Sequence, residues 1–495
     1  MYKTILAIIY SKLFTKSICV ILYFLLTSAA IFYFFRNWAY DDPFITYRYA
    51  RNILTGVGFV YNPGEYVLST TTPLFTLILT ALSPLYSNLP RLAILIGAMS
   101  LALGALLLYW MANIHHEPVV GWASLLLYPT SPLLLICLGS ETPLYIAFCL
   151  AGFVFYWRSN YKLTAIFSAL AILTRPDGLL VPVILAVDYI IRVRRPIPWK
   201  PVLLFLALAL PWFIFSWVYF GSPIPATLAA KQHQGMMAIS QRFAAGFFTQ
   251  IKTFYMSWFY EIQAIVALFG IYYLVMKSRR WFLFFVWPVV YFITFILLGM
   301  TRYFWYYAPL LPGFVILVGL GLVSIAWLTR STLDKAFDSV SLPNKLPQLA
   351  MLALLLILGI SQILHLKAIA ANRDPRYTIY KAIGIWLNAN TPPGASVGTL
   401  EIGIIGYFSQ RPIVDFAGLI QPEIAKRLER HTTYADAANY AVMRFQPDYL
   451  VIREGVFPDL EESYAPRWCQ IAQRFQGASY NYANNLLVYK CSKAQ

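Results

Sequence analysis

Long apolar stretches separated by short basic hinges constrain this chain more than any other feature of its sequence. A helix of about 20 apolar residues is long enough to cross the hydrocarbon core of a bilayer. Eleven such stretches follow one another, the fifth and sixth being short: 17 to 35, 91 to 112, 119 to 137, 142 to 157, 163 to 175, 178 to 192, 201 to 220, 259 to 276, 281 to 299, 305 to 328 and 347 to 366. The pattern predicts a polytopic α-helical membrane protein.

The small fraction of charged residues also fits a membrane protein. Of its 495 residues only 12% are charged, which is roughly half the fraction found in soluble proteins. The formal net charge of +17 would suit a nucleic-acid binder, but the basic residues cluster in the hinges, where they orient a membrane protein and contact anionic lipid headgroups. We therefore expect membrane lipid, and no nucleic acid, among its partners.

Basic residues before the first span and after every second later span indicate the orientation of the chain. Lys3, Lys12 and Lys16 precede the first span, and the later groups are Arg158 to Lys162, Arg192 to Lys200, Lys277 to Arg280 and Arg330 to Lys345. The excess of Lys and Arg in cytoplasmic loops places these hinges in the cytoplasm. An apolar run at 73 to 86 would reverse every later hinge if it crossed, so it is predicted to be a re-entrant or surface helix in a first outer loop, residues 36 to 90.

The first apolar stretch has an alternative interpretation as a cleaved signal peptide. Lysines precede it, and Ser28-Ala29-Ala30 loosely resembles a cleavage site. Its apolar run of about 19 residues is nevertheless long for a signal peptide and favours a membrane span.

The character of the sequence changes after residue 366. The remaining 129 residues carry 25 charges, with strand-like runs at 396 to 399 and 449 to 452 and helix-like stretches at 376 to 389 and 422 to 430. This pattern predicts a soluble α/β domain. We therefore divide the chain into a membrane domain, 1 to 366, and a second domain, 367 to 495, which the number of spans places outside the cytoplasm, at the plasma or inner membrane.

Two of the five cysteines, Cys469 and Cys491, fall in this second domain. A disulfide would form readily in an extracytoplasmic domain, but spacing alone does not distinguish a disulfide from two free thiols.

Acidic residues are rare in the membrane domain, which makes the adjacent pair Asp41 and Asp42 the first candidates for chemistry. Residues 1 to 366 hold ten Asp and Glu against 24 Lys and Arg, and a carboxylate close to lipid is costly unless it has a function.

Three outer segments share one local design, in which polar residues precede a proline that opens a helix. They are Asp41-Asp42-Pro43, Thr71-Thr72-Pro73 and Glu141-Thr142-Pro143. Asp42 and Thr142 are predicted helix caps, whereas Asp41 and Glu141 stand one residue further out and are not needed for capping. Helix N-termini on the outer face would also be suited to holding a phosphate.

The helix expected after Pro43 carries Arg48 and Arg51 among Phe and Tyr side chains, a pattern typical of a helix lying in the membrane interface, whether functional or a simple surface anchor. Arg175-Pro176-Asp177-Gly178 is predicted to be a turn between two spans, in which Arg175 and Asp177 are able to pair.

The sequence requires no cofactor. Gly403-Ile404-Ile405-Gly406 is only a fragment of a nucleotide-binding fingerprint, and no Walker lysine motif is present. His115 and His116 are two isolated histidines at a predicted cytoplasmic hinge, a position that favours solvation over metal binding. Asp41, Asp42 and Glu141 have the oxygen ligands that a divalent cation prefers, so a metal is possible, but no spacing in the sequence demands one.

The first outer loop contains two distinctive segments, 41 to 52, DDPFITYRYARN, and 58 to 65, GFVYNPGE. With them the loop resembles that of the GT-C glycosyltransferases, and most closely the branch that contains the terminal arabinofuranosyltransferases of actinobacterial cell walls. Weaker similarities follow along most of the chain: Gly139 to Leu144, Leu173 to Gly178, Gly221 to Pro225 with Ala230-Lys231, Arg302-Tyr303, and Asp415 to Leu419.

The resemblance implies that a sugar is transferred from a polyprenyl-phosphate donor to a hydroxyl of a cell-envelope glycan, lipid or protein, with inversion at the anomeric carbon. It implies that a first-loop carboxylate is the general base, and we assign Asp41 to this role, with Asp42 and Glu141 as the other catalytic candidates. Lys231, Arg302, Arg175 and Tyr303 are then the candidates for binding the donor phosphate. Arabinofuranose is one possible sugar, but Thr71-Thr72 and Ala226-Thr227 depart from the usual family motifs and leave the sugar open.

Two other classes of function remain compatible with the sequence. A transporter or flippase for lipid-linked sugars would use carboxylates as proton relays, but the acids cluster on the outer side, and only Asp188 lies near the end of a span. A non-enzymatic glycan-binding scaffold is the third possibility.

Overall fold

Helices dominate the first three-quarters of the chain. The computed structural model describes residues 2 to 336 and 346 to 492, with side-chain surroundings from residue 17 onward and a gap at 333 to 345. The helices of the membrane domain are α1 Tyr2–Phe35, α2 Pro43–Leu54, α3 Pro73–Leu82, α4 Leu89–Ile114, α5 Pro118–Leu127, α6 Pro132–Leu135, α7 Thr142–Trp157, α8 Tyr161–Thr174, α9 Leu180–Asp188, α10 Trp199–Phe220, α11 Ala226–Met236, α12 Phe243–Phe254, α13 Trp258–Met276, α14 Phe282–Leu297, α15 Leu311–Ala336 and α16 Leu346–Ala371.

Among the described residues, seven helical segments are long and apolar enough to cross a membrane, and the chain is an integral membrane protein. They begin with Ser17–Phe35 and end with the segment that contains α16. Helices α5, α7, α8 and α9 coincide with predicted spans but are shorter, and the predicted span 119 to 137 is interrupted before Pro132, where α6 begins. The count of eleven spans therefore stays a prediction. Helix α3 has 10 residues, too few to cross as a single helix.

The helices of the membrane domain connect two ends with different chemistry. At one end, which we call the basic end, the Ser278 hydroxyl donates to Glu117 over 3.1 Å, and Tyr156 donates to Asp188 over 2.7 Å. These bonds join hinges that the sequence pattern placed together. The opposite end, called the loop end below, holds the first outer loop and the carboxy-terminal domain.

Helices α13 and α15 approach each other closely in the middle of the bundle. A Cβ atom at Gly321 would overlap the carbonyl oxygen of Val266, and one at Gly270 would overlap that of Leu317. Small residues allow helix backbones to pack at this distance inside a membrane.

The carboxy-terminal domain contains a five-stranded mixed sheet with the order β2-β1-β3-β5-β4. The strands are β1 Val397–Thr399, β2 Ile413–Asp415, β3 Tyr449–Arg453, β4 Cys469–Phe475 and β5 Leu486–Cys491, and the helices are α17 Arg376–Asn390, α18 Ile402–Ser409, α19 Pro422–Ala425, α20 Tyr434–Phe445 and α21 Ala465–Trp468. Strand β1 pairs in parallel with both β2 and β3, whereas β5 is antiparallel to β3 and β4. The predicted α/β domain is confirmed, and only the helix expected at 422 to 430 is shorter, at four residues.

Strands β4 and β5 place Cys469 opposite Cys491. The two residues form a disulfide, which selects one of the two alternatives that their spacing left open.

Helix α2 docks onto the carboxy-terminal domain and does not lie in the membrane interface as the sequence pattern suggested. Phe44, Tyr47, Arg48 and Tyr49 are all buried. The Arg48 guanidinium donates to the carbonyls of Tyr61, Gly406 and Arg411 over 2.7 to 2.9 Å. The interfacial interpretation is wrong because α18 and the residues after it cover this face of α2, which periodicity within α2 cannot reveal.

Candidate active site

A cavity of about 430 Å³ lies at the loop end of the membrane domain. Six segments that are distant in sequence contribute to its walls, together with Leu419 from the carboxy-terminal domain. The lining residues fall within 40 to 46, 69 to 72, 140 to 141, 175 to 180, 223 to 231 and 294 to 306, with Phe213 from α10. The cavity therefore gathers most of the segments that carry the family resemblance.

The three proline-led helices begin at this cavity. Residues just before or within the first turns of α2, α3 and α7 line it, among them Thr46, Thr72 and Glu141. The hydroxyl oxygens of Thr46 and Thr72 lie 3.2 Å apart and join the starts of α2 and α3. Three helix N-termini in one place favour negatively charged groups.

Asp42 is the first-loop carboxylate that lines the cavity. Its side chain is 34% exposed, and Oδ2 lies 3.2 Å from Nζ of Lys231. The side chain makes no capping hydrogen bond to α2, so the cap predicted for Asp42 is not formed. The ammonium of Lys231 draws the carboxylate away from the helix end, and a charged partner is stronger than a neutral amide.

Asp41 lies outside the set of described residues that line the cavity and is buried against α18. Its carboxylate accepts hydrogen bonds from the backbone amides of Gly403, over 2.9 Å, and Ile404, over 2.8 Å. These amides belong to the first turn of α18, where a negative charge is favourable. Burial raises the pKa of Asp41 above its usual range, as does the nearby Glu401 carboxylate, while the two amides act in the opposite direction.

Asp41 is not needed to cap its own helix, as expected, but it has a structural role at a distant one. It caps α18, whose residue Gly403 is 362 positions away in sequence, and a local pattern around Asp41 cannot predict such a cap. The structure thus brings Asp42, not Asp41, into the cavity.

Glu141 and Arg175 form the second charged group of the cavity. Arg175 Nη1 lies 3.2 Å from Glu141 Oε1, and Arg175 Nε lies 3.0 Å from Asp177 Oδ1. Burial raises the pKa of Glu141, and the Arg175 guanidinium opposes that rise. The predicted Arg175 and Asp177 pair is present, with Glu141 as a third member, so Arg175 already serves two carboxylates.

Lys231 is held over a group of aromatic rings. Its Nζ lies 4.7 Å from the ring centroid of Tyr303, 5.1 Å from that of Trp305 and 5.7 Å from that of Tyr306. These distances are within the range of cation–π attraction. Burial alone would lower the pKa of Lys231, but Tyr306 and Asp42 outweigh it and keep the ammonium protonated.

Tyr303 takes part in the site indirectly. Its hydroxyl donates to Gln234 over 2.9 Å, and its ring lies beneath Lys231, while Trp305 and Tyr306 line the cavity. Trp305, Tyr306 and Tyr40 were not predicted as site residues. The sequence signal for Trp305 and Tyr306 is an aromatic run directly after Arg302-Tyr303, and the signal for Tyr40 is its place directly before Asp41.

Arg302 is exposed and lies outside the set of described residues that line the cavity. Its backbone amide donates to the carbonyl of Gln241 over 3.1 Å, which fixes the segment against the start of α12. The structure therefore does not bring Arg302 together with the other predicted phosphate-binding residues, because the turn directs Tyr303 toward Lys231 and Arg302 away from it.

Within the described ranges 2 to 336 and 346 to 492, no group of three or more His, Cys, Asp or Glu side chains is arranged to hold a metal ion. The three carboxylates considered for a cation are separated: Asp42 pairs with Lys231, Glu141 with Arg175, and Asp41 with α18.

Comparisons with known proteins identify the fold. A domain of unknown function, DUF8728, matches residues 367 to 489. No curated protein sequence matches the chain significantly. Among solved structures, the chain is similar to ArnT from Cupriavidus metallidurans bound to undecaprenyl phosphate, with 13% identity, coverage of 95% of this chain and 97% of ArnT, and a TM-score of 0.63.

Two further solved structures share this architecture. The similarity to the oligosaccharyltransferase of Archaeoglobus fulgidus has 13% identity and a TM-score of 0.56, and it spans 89% of this chain and 70% of the oligosaccharyltransferase. The arabinofuranosyltransferase AftD from Mycobacteria has 15% identity over 95% of this chain and 40% of its own, with a TM-score of 0.52. The chain has the GT-C fold, as the first outer loop predicted. At these identities the similarity establishes the fold, and the activity has to be argued from the site.

Proposed function

We propose that this protein is a membrane glycosyltransferase that transfers a sugar from a polyprenyl-phosphate donor to an acceptor hydroxyl. The observation that carries the proposal is the pairing of Asp42 with Lys231 in one cavity at the loop end. A sugar transfer of this kind needs a base for the acceptor and a cation for the phosphate that leaves. The solved structure of ArnT contains undecaprenyl phosphate, a donor carrier of the proposed chemical class.

Asp42 is the proposed general base. In a single displacement the acceptor oxygen forms a bond to the anomeric carbon as the bond from that carbon to the phosphate oxygen breaks. The hydroxyl proton passes to Asp42, and the polyprenyl phosphate leaves with the electron pair of the broken bond. One displacement inverts the anomeric centre. Asp42 is better placed than Asp41 because its side chain lines the cavity and is about one-third exposed, whereas the carboxylate of Asp41 is occupied by two amides.

Lys231 is the proposed primary partner of the donor phosphate. Arg175 lines the same cavity, but its guanidinium is shared between Glu141 and Asp177, so we give it the secondary role of balancing charge. Fixed cations aimed at a developing negative charge are among the largest contributions to catalysis.

The apolar part of the cavity suits the lipid chain of such a donor. Leu179 and Leu180 at the start of α9, Ile224 before α11, and Leu298 at the end of α14 line one side. Helices α9, α10 and α14 also carry many exposed apolar side chains, as lipid-facing helices do. A polyprenyl chain is able to extend from the cavity along this side, where its apolar surface stays out of water.

We also propose that the loop end faces away from the cytoplasm, with the donor approaching from the outer leaflet. The basic hinges at the opposite end support this orientation. The disulfide between Cys469 and Cys491 supports it independently, because disulfides persist in oxidising compartments.

The transporter interpretation is less well supported. Asp188, the acid near a span end, lies 3.3 Å from Arg192 and accepts a hydrogen bond from Tyr156. Both partners lie at the basic end. A carboxylate tied to a cation at one end of the bundle is poorly suited to relay protons through it.

Turnover of polyprenyl-phosphate sugars by the purified protein in detergent tests the proposal. A panel of arabinofuranose, mannose, glucose and galactose donors should include at least one that yields a product of inverted anomeric configuration with a cell-envelope acceptor. Asp42→Asn is the control for contaminating activity. Donor binding without turnover for every sugar, or vectorial transport of the intact donor in proteoliposomes, would contradict the enzyme and favour a carrier.

A further inference from the structure

The Lys231 ammonium has two anionic partners in the proposed reaction, the Asp42 carboxylate and the donor phosphate. In the structure it neutralises Asp42 at 3.2 Å, and the proposed function also requires it to neutralise the phosphate of the donor. The carboxylate and the phosphodiester each carry one negative charge, so a single ammonium cannot fully compensate both in a cavity that is partly shielded from water.

A second observation indicates where the phosphate binds. Thr227 is 4% exposed and lines the cavity, and among the described residues its hydroxyl oxygen has no hydrogen-bond partner. Buried hydroxyls are normally satisfied, so an unpaired one at a cavity wall points to a ligand oxygen. Thr227 and Lys231 are four residues apart on α11 and lie on the same helix face.

The start of α11 reinforces this position. The helix has 11 residues, its N-cap is Pro225, and no side chain caps it. The Ala226 amide donates to the Leu68 carbonyl over 2.8 Å, and the N-terminus as a whole still carries partial positive charge that attracts an anion. An anion placed between the Thr227 hydroxyl and the Lys231 ammonium would therefore pair with the one unsatisfied hydroxyl and lie near the positive end of α11.

We propose that the Lys231 ammonium changes its ion-pair partner from Asp42 to the donor phosphate when the donor binds. Asp42 then becomes a competent base only after the donor is in place. The inference rests on the proposed function and adds an order of binding to it. The donor binds first and the acceptor second, because only a carboxylate released from its ammonium is free to accept the hydroxyl proton.

The aromatic rings beneath Lys231 allow its ammonium to change partner while it stays in contact with them. Tyr303, Trp305 and Tyr306 contact the ammonium over their faces, and cation–π attraction does not require a fixed hydrogen-bond direction. Nζ can therefore pivot from Asp42 toward Thr227 while it stays over the rings.

The direct test is an experimental structure of the protein with a polyprenyl monophosphate, which is the leaving group of the proposed transfer and carries the lipid and the phosphate of the donor without its sugar. We expect Nζ of Lys231 to lie within hydrogen-bond distance of a phosphate oxygen, the Thr227 hydroxyl to contact the same phosphate, and the distance from Nζ to Asp42 Oδ2 to exceed the ion-pair limit. A phosphate bound while the Lys231 and Asp42 pair remains intact would overturn the proposed change of partner.

Affinity for the same polyprenyl monophosphate gives an independent measurement. Asp42→Asn removes the competitor for Lys231 and should tighten binding about fivefold, the value of a partly exposed ion pair. Glu141→Gln is the matched control, because it removes another carboxylate of the cavity that pairs with Arg175 instead. Equal tightening in both variants would show a general charge effect, and weaker binding in Asp42→Asn would show that the pair binds the phosphate as a unit. Either result contradicts the proposal.

Thr227 is tested by an isosteric change. Thr227→Val should weaken binding about tenfold, as expected for a hydrogen bond to a charged group, and Thr227→Ser should restore it. Unchanged affinity in Thr227→Val would remove the phosphate from this position. If wild-type protein does not bind polyprenyl phosphate at all, the proposed function fails with it; if it binds and turns over donor while Lys231 stays on Asp42, only the order of binding fails.

Discussion

Asp41 and Asp42 are neighbours in sequence, but they belong to two regions of the molecule with opposite properties. Asp41 faces the carboxy-terminal domain. There Arg48 and Arg51 donate to carbonyls within α18, and Arg48 also donates to the carbonyl of Arg411, just after this helix. Asp42 faces the cavity, where its partner is Lys231, whose side chain is largely buried. The two sides of the same loop are therefore a docking surface and a reaction surface.

The difference between the two regions is how completely their polar groups are satisfied. On the docking surface, Asn62 both donates to and accepts from the backbone of Ile413, and the Tyr61 hydroxyl donates to the carbonyl of Ile402 over 2.6 Å. On the reaction surface, the Thr227 hydroxyl is unpaired among the described residues. Saturated networks fix a structure, whereas unsaturated groups remain available to a ligand.

Helix α18 shows why the docking surface needs charges of both signs. Asp41 meets its N-terminal amides, and the two arginines meet carbonyls at or near its C-terminus. Each charge complements the dipole of α18 at that end. Much of the loop sequence that resembles the GT-C motif therefore holds two domains together.

Removal of the proposed proton acceptor from the reaction surface should have the largest effect on turnover. Asp42→Asn keeps the shape of the side chain but cannot take a proton, so turnover should fall at least about a hundredfold. The free energy of unfolding should fall by no more than about 1 kcal/mol, the value of a partly exposed ion pair, since the pair with Lys231 is lost but no helix cap is. Initial rates with a saturating donor measure the effect, and near-normal turnover would assign the base elsewhere.

The fold could be predicted from the sequence because its signals are local. Apolar length marked the helices, and strand-like runs at 396 to 399 and 449 to 452 became β1 and β3. The family resemblance of residues 41 to 52 indicated the GT-C fold without any long-range information.

The roles within the site could not be predicted because they depend on contacts between distant segments. Capping rules compare Asp41 and Asp42 with their own helix. The partner of Asp42 is instead Lys231, 189 positions away, and the partner of Asp41 is α18 of the other domain. The same limit applies to Arg302, since sequence does not show which of two adjacent residues a turn directs inward.

Lys231→Gln should have the second largest effect. Loss of a charged hydrogen bond to phosphate costs about 1.5 to 3 kcal/mol, so donor affinity should fall about tenfold to a hundredfold. Titration of a polyprenyl-phosphate sugar into the purified variant measures this affinity. Unchanged affinity would move the phosphate toward Arg175, which would then have to leave Glu141 or Asp177.

Asp41→Asn probes the docking surface and should have a smaller effect on turnover than Asp42→Asn. The asparagine keeps one acceptor for the α18 amides but turns its own amino group toward the other, with a cost of about 1 to 3 kcal/mol. We expect a lower unfolding temperature, faster proteolysis near residues 371 to 375, and a roughly tenfold loss of turnover as docking weakens. A stable, fully docked variant with no turnover would return the role of base to Asp41.

Arg302→Gln should have the smallest effect and tests the boundary of the reaction surface. Arg302 and Lys231 are both basic residues within segments that line the cavity or adjoin it, and both were candidates for the donor phosphate. Arg302 is exposed and outside the cavity lining, and screening by water leaves an exposed charge at such a site worth less than about 1 kcal/mol. Donor affinity in Arg302→Gln should therefore stay within about threefold of wild type, when measured beside Lys231→Gln in the same detergent and at the same ionic strength. A loss as large as that of Lys231→Gln would mean that the 301 to 306 segment turns Arg302 into the cavity when donor is bound, and the reaction surface would then have to include the turn before Trp305.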